Sequence, residues 1–340
     1  MRHIPPVAEL AIRLMEIEST SGNEATVVTV ADEMLTSRRW HTDRIPVTAG
    51  RDCVLALSAA DPVVTLSTHL DTVPPYIPPR LDGDTLHGRG ACDAKGIAAS
   101  MVLAGERLRA RGIPVALLFV IGEETTHDGA HAANARATTS RVIINGEPTD
   151  CTLAVGTKGA LRVSVRTHGR AAHSAYPEMG HSATRELVAL LAELDRQPWP
   201  SDPLLGETTV NIGMLSGGIA DNVLAPTAEA RLMFRLVSSV RELWPHVERW
   251  AEGRAEVEAG IMAPPMRLGT LPGFPTSVAK FATDLPALGR WGTPYLFGPG
   301  SIHVAHTALE RVGISELEEA VDAYERIALG ALEREGIPLA

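Results

Sequence analysis

The sequence predicts an α/β sandwich with a ferredoxin-like α+β domain inserted into it, and three observations predict it. Up to Gly156, short runs rich in Val, Leu and Ile alternate with segments of helical apolar spacing. Beyond Gly156 the apolar period becomes two, as in half-exposed antiparallel strands. From Pro264 the chain turns Pro- and Gly-rich and closes on one more helical stretch.

Val7 to Glu18 places Val7, Leu10, Ala11, Leu14 and Ile17 on one face, and Thr26 to Leu35 repeats the pattern, so two helices open the fold. Cys53 to Leu57, Pro62 to Ser67, Val115 to Ile121 and Val142 to Ile144 are continuous apolar runs between turn residues, the pattern of buried strands. Gly96 to Arg111 lies between two of them and reads as the helix crossing over the sheet. Alternation follows from Leu161 to Val165, from Thr208 to Met214 and from Thr227 to Leu236, with helices at Ser182 to Leu194 and Val240 to Ala251 and a last strand at Ala255 to Ala259. Strand, helix, strand, strand, helix, strand is the order of a split βαβ unit. The expected division is a discontinuous larger α/β domain of residues 1–156 and 264–340 around an inserted domain of residues 157–263, with a closing helix at Ile314 to Leu332.

Composition narrows the function. The 340 residues are 45% hydrophobic and carry 41 acidic against 31 basic side chains, a formal charge of −10 that repels a phosphate backbone. Nucleic acid is not an expected partner. Three scattered cysteines form neither a disulfide framework nor a thiolate zinc site. Two prolines interrupt the first ten residues, and Val115 to Ile121 is too short to span a bilayer, so a cytoplasmic protein without membrane attachment is expected.

Five segments carry chemistry. Ser67-Thr68-His69-Leu70-Asp71 ends a predicted strand, where open α/β sheets bind ligands, and Asp71 can accept the second ring N–H of His69. Gly88-Arg89-Gly90-Ala91-Cys92-Asp93-Ala94-Lys95-Gly96 is a glycine-punctuated turn that can bring Asp93 beside His69 as a carboxylate shared by two cations, or serve as a plain strand-to-helix loop. Glu123 and Glu124 follow the most apolar strand, and paired acids there call for a compensating cation. Glu147 ends the next strand, and either His303 or His306 can supply a last ligand from Phe297-Gly298-Pro299-Gly300-Ser301-Ile302-His303-Val304-Ala305-His306. Oxygens and imidazoles without thiolate favour zinc, with manganese or cobalt as alternatives.

Taken in order, HLD, GRGACDAKG, EE and GEP resemble the di-zinc metallohydrolase family of acetylornithine deacetylase, succinyl-diaminopimelate desuccinylase, aminoacylase and glutamate carboxypeptidase, over Ala8 to Leu332. The resemblance implies that His69 and Glu147 hold separate zinc ions, that Asp93 bridges them and that Glu124 and His306 supply one ligand each. It implies that Asp71 orients His69 and that Glu123 is the general base. His306 is preferred to His303 because Glu310 follows it as in the family, although Leu309 stands where the family has an Asp. The inserted domain is similar to the family's lid and dimerisation domain, implying a homodimer. There His173 corresponds to a histidine that reaches the partner subunit's active site and stabilises the tetrahedral oxyanion, and Asn222 and Arg235 to substrate contacts, although Met233 replaces a common acidic residue. The loop containing Gly300, also expected to contact substrate, resembles acetylornithine deacetylases. The implied reaction is hydrolysis of N-acetylornithine or a related N-acyl amino acid, within arginine biosynthesis. The alternative is a dipeptidase or carboxypeptidase with the same metals.

Overall fold

A computed structural model describes residues 4–337. It opens on α1 (Pro6–Met15) and α2 (Ala25–Ser37), then β1 (His41–Thr48), β2 (Arg51–Leu57), β3 (Val64–His69), β4 (Arg80–Asp82), β5 (Thr85–His87), α3 (Lys95–Ala110), β6 (Val115–Val120), α4 (Asp128–Ala135), β7 (Val142–Asn145) and β8 (Leu153–Thr157). The middle of the chain forms β9 (Gly159–His168), α5 (Ala183–Leu191), β10 (Ser201–Asp202), β11 (Gly206–Glu207), β12 (Thr209–Gly217), β13 (Thr227–Leu236), α6 (Val240–Ala251), β14 (Glu256–Ala263) and β15 (Met266–Arg267). The last part supplies β16 (Thr276–Ala279), β17 (Thr293–Leu296), β18 (Arg311–Gly313) and α7 (Ile314–Arg334). Two compact units result: one runs to Val155 and resumes over Leu268–Ser277 and from Thr283, and the other comprises Gly156–Arg267 with Val278–Ala282. The fold is the expected mixed α/β architecture.

The first unit is built on a six-stranded sheet of order β1-β2-β6-β3-β7-β17. β3 runs parallel to β6 and β7, and β17 parallel to β7, with His69 opposite Val120, Ser67 opposite Asn145 and Leu296 opposite Asn145. Every residue of β3, β6 and β7 is buried, which explains their continuous apolar character. Because the four strands are parallel and in near register, the loops after His69, Val120, Asn145 and Leu296 leave the same edge of the sheet. That edge is where such sheets bind ligands. Helices α1, α3 and α7 pack on one another, with α3 over β3 and β6, while α2 and α4 pack on β1 and β2.

β1 is absent from the sequence reading for a physical reason. It is an edge strand in which Ile45 alone is buried, and Pro46 sits at a shift in the ladder. The first helix ends at Met15 rather than Glu18, and the carbonyl of Ile17 accepts the Lys95 ammonium at 2.6 Å.

The second unit is a four-stranded antiparallel sheet of order β12-β13-β9-β14. Chain order and spatial order together make the split βαβ arrangement. α5 lies on β9 and β13, α6 lies on β14, and Leu161, Val163, Leu187, Phe234, Leu243 and Trp250 belong to the buried cluster of this unit. β12 forms one edge and exposes Ile212, Met214 and Leu215. Among the described residues, no helix is long and apolar enough to cross a membrane.

Candidate metal centre

His69, the last residue of β3, is 1% exposed. Its Nδ1 faces the main-chain oxygen of Asp71 at 2.9 Å, so the Nδ1–H is donated there and Nε2 is aimed at Asp93 Oδ1, 3.0 Å away. The bond expected from the Asp71 carboxylate is thus made by its carbonyl. Asp71 Oδ1 lies 3.5 Å from Nδ1 and accepts the main-chain N–H of Glu123 at 3.2 Å, while Oδ2 accepts the Ser21 hydroxyl at 2.7 Å and the main-chain N–H of Glu124 at 3.2 Å. Burial opposes the His69 imidazolium, but the contacts with Asp71 and Asp93 outweigh it and lift its pKa well above the ordinary value.

Asp93 comes from the glycine-punctuated turn ahead of α3. Its second oxygen, Oδ2, lies 3.2 Å from Nε2 of His306, and the same nitrogen is 3.0 Å from Glu124 Oε1. His69, Asp93 and Glu124 each present one ligand atom within 4.8 Å of the others. Burial works against the charge on Asp93, yet the His306 and His69 contacts hold its carboxyl well below the ordinary range. The imidazole of His306 is raised to about 10 by Asp93 and then Glu124.

Glu123 and Glu124 diverge from a closed turn in which Thr125, Thr126 and His127 all donate their N–H groups to Gly122 O. Glu124 meets His306, while Glu123 Oε1 points toward His127 Nδ1, 3.9 Å away. Gly122 makes the turn possible: its φ is +73°, and a Cβ there would lie 2.0 Å from Asp128 Oδ1. Asp128 in turn accepts from Arg51 at 2.6 Å, and Arg51 is also bound by the buried Glu24.

Glu147 is 4% exposed, and its Oε1 has no hydrogen-bond partner among the described residues. Burial pushes its carboxyl well up, and the charges of Asp93, Asp284 and Glu124 add to the push against the opposing His69. Glu123 is raised by burial first and by Glu147 next. Buried acids crowded in this way, one with an orphaned oxygen, fit a site for divalent cations. The donors are oxygens and imidazoles, and the neighbouring Cys92 thiol is pushed up by burial rather than ionised.

Gly300 has a steric role in this unit: at φ +78° its position leaves 2.4 Å between an added Cβ and the Cβ of Cys92. His303 is exposed, and its main-chain N–H bonds Ser301 Oγ at 3.4 Å. The imidazole that meets the acids belongs to His306.

In the second unit His173 and Asn222 are exposed on adjoining segments. Asn222 O accepts the Ser174 N–H at 2.9 Å, Ala172 O accepts that of Leu224 at 2.9 Å, and His173 Nδ1 accepts that of Ala175 at 3.1 Å. Arg235 is half-buried on β13, opposite Thr209 and Ala160.

Residues 155–256 match the family described as a peptidase dimerisation domain. A peptidase M20 domain-containing protein of Schizosaccharomyces pombe is 37% identical over 329 residues, covering 93% of this chain and 82% of that protein. The chain belongs to the M20 peptidase family. A probable carboxypeptidase of Aspergillus fumigatus is 35% identical over 376 residues, covering 94% of this M20 peptidase and 86% of the fungal protein. Among solved structures, a tripeptidase of Staphylococcus aureus superposes with a TM-score of 0.81 at 20% identity, covering 96% and 98% of the two chains. A dinuclear metal-binding peptidase of Bacillus subtilis does so with 0.72 at 17% identity, covering 96% and 98%. At those identities the structures speak to the M20 peptidase fold.

Two features of this M20 peptidase escaped the sequence reading. His127 Nδ1 lies 2.9 Å from the buried Asp284, and Arg89 pairs with the buried Glu310. Both partnerships span more than 150 residues of chain, and no local pattern announces them.

Proposed function

We propose that this M20 peptidase is a metal-dependent hydrolase that cleaves an amide bond in a small peptide or N-acyl amino acid. The observation that carries the reading is Asp93, whose two oxygens face two imidazoles, His69 at 3.0 Å and His306 at 3.2 Å. A carboxylate presented from both oxygens suits a ligand shared by two cations. His69, Asp93, Glu124, Glu147 and His306 would hold the pair, zinc in the first place, with cobalt or manganese accepted by the same donors. The description of the Bacillus subtilis neighbour as dinuclear supports a pair rather than one ion.

When bound, such cations lower the pKa of water to about 7 and polarise the amide carbonyl. The chain's own groups do the rest. Glu123, held by its backbone to Asp71, takes a proton from the attacking water and delivers it to the leaving nitrogen. His173 is proposed to stabilise the tetrahedral oxyanion in the partner subunit's active site, with Asn222, Arg235 and Gly300 as substrate contacts. A homodimer through the inserted unit is supported by the dimerisation-domain match and by the apolar side chains exposed on β12. A cytoplasmic setting suits the three free cysteines.

The fungal relatives named probable carboxypeptidases favour a peptide bond at a free C-terminus. The narrower expectation, N-acetylornithine and its place in arginine biosynthesis, involves the same bond chemistry. The test is a panel of N-acetylornithine, other N-acetyl amino acids, free dipeptides and N-blocked dipeptides on zinc-loaded protein. Turnover that a chelator abolishes and zinc restores is expected. No turnover anywhere on the panel, or turnover indifferent to chelation, overturns the reading.

A further inference from the structure

Arg89 and Glu310 are 2% exposed, and the carboxylate of Glu310 is wholly buried. They belong to two different loops. Arg89 lies just after β5 and four residues before Asp93, and Glu310 lies just before β18 and four residues after His306. β5 and β18 pair, with Arg311 opposite His87, so the two excursions leave adjoining strands.

Between those strands the pair ties the loops together. Glu310 Oε1 accepts the main-chain N–H of Gly90 at 2.8 Å and of Asp93 at 3.3 Å, and Oε2 accepts from Arg89 Nη1. The guanidinium also donates to Thr307 O, on the His306 side, and to Pro75 O, both at 3.3 Å. The main-chain oxygen of Glu310 takes the N–H of Gly88 at 3.1 Å. A buried ion pair is a poor device for stability, because desolvation offsets its attraction. Its value here is geometric: one carboxylate grips the backbone that carries Asp93, and its partner grips the backbone that carries His306.

We infer that Arg89 and Glu310 are positioning residues that fix the spacing of Asp93 and His306 across the metal centre, an assignment that rests on the metal-centre reading above. Neither touches the reacting atoms. Both act through the two side chains that they bring within 3.2 Å of each other.

The test uses Glu310→Gln, Arg89→Met and Arg89→Lys, with cobalt(II) as probe. Metal-stripped Glu310→Gln and Arg89→Met are expected to keep the far-ultraviolet dichroism and cooperative melting of the wild type. Their cobalt affinity, read by competition with a chelator, falls about 10–100-fold, and the visible cobalt band changes in position or intensity. Arg89→Lys, which keeps a cation for Glu310, recovers most of the wild-type band. Wild-type affinity together with a wild-type band in folded Glu310→Gln and Arg89→Met overturns the assignment. Should one of these fail to fold, the other decides by the same two readouts; should both fail, Arg89→Lys decides, a weakened affinity or a residual shift of its band sustaining the assignment and wild-type values in both overturning it. If the wild type itself binds no cobalt, the metal-centre reading falls. The pairing is then read in amide exchange of metal-free protein: faster exchange of the 88–93 and 304–309 peptides in Glu310→Gln sustains it, and unchanged exchange overturns it.

Discussion

The carboxylate of Asp71, just past β3, accepts the main-chain N–H of Glu123, just past β6, at 3.2 Å. The same carboxylate takes the N–H of Glu124. Asp71 therefore fixes the backbone from which the proposed base and a proposed ligand diverge. Asp71→Asn puts an amide N–H against one of those donors. We expect kcat to fall about 10–100-fold with metal content retained. Steady-state kinetics beside metal analysis checks this, and an unchanged kcat contradicts it.

Glu123→Gln keeps the shape of the side chain and removes its basicity. Turnover is expected to drop by a factor of about 10²–10⁴, while the cations stay bound because Glu124 supplies the ligand from that loop. Near-normal turnover in the variant removes Glu123 from its role.

The contacts of His306 with Asp93 and Glu124 make a pH prediction for protein stripped of metal. Its pKa rises from 6.5 to about 10 on folding, so the stabilisation is complete below 6.5 and is lost as the pH rises toward 10. The melting temperature of the chelated wild type should fall across that window more than that of His306→Gln. Parallel curves for the two proteins would show that the pairing contributes nothing. The imidazole is half-exposed, which keeps the expected difference small.

Phe234 is fully buried in the core of the inserted unit and meets Trp199 edge-on at 5.2 Å. Phe234→Ala should cost about 3–5 kcal/mol in denaturant unfolding. A loss under about 1 kcal/mol would mean that the cavity collapses without penalty.

The sequence made the fold legible wherever apolar period and burial coincide. β3, β6 and β7 are buried along their whole length and stand out as apolar runs, and β9 and β13 alternate because one face is wet. β1 was illegible because its single buried residue leaves no period to detect. Within the site, His69, Glu124 and Glu147 were readable because they end or closely follow the parallel strands β3, β6 and β7, whose ends share one edge, whereas Asp93 and His306 arrive on long loops that only their motifs mark. The grip of Glu310 on the Asp93 backbone was not readable, because a side chain accepting a main-chain N–H across 217 residues leaves no trace in local spacing. The true partner of the His69 Nδ1–H was missed for a similar reason: residue spacing indicates which residues meet, and not which of their oxygens is used.

Metal content per chain tests the central claim most directly. Elemental analysis of protein reconstituted with zinc and freed of excess should give about two ions for the wild type and a clear loss of at least one for Asp93→Ala. Identical content in the two proteins, or none in the wild type, would contradict the account.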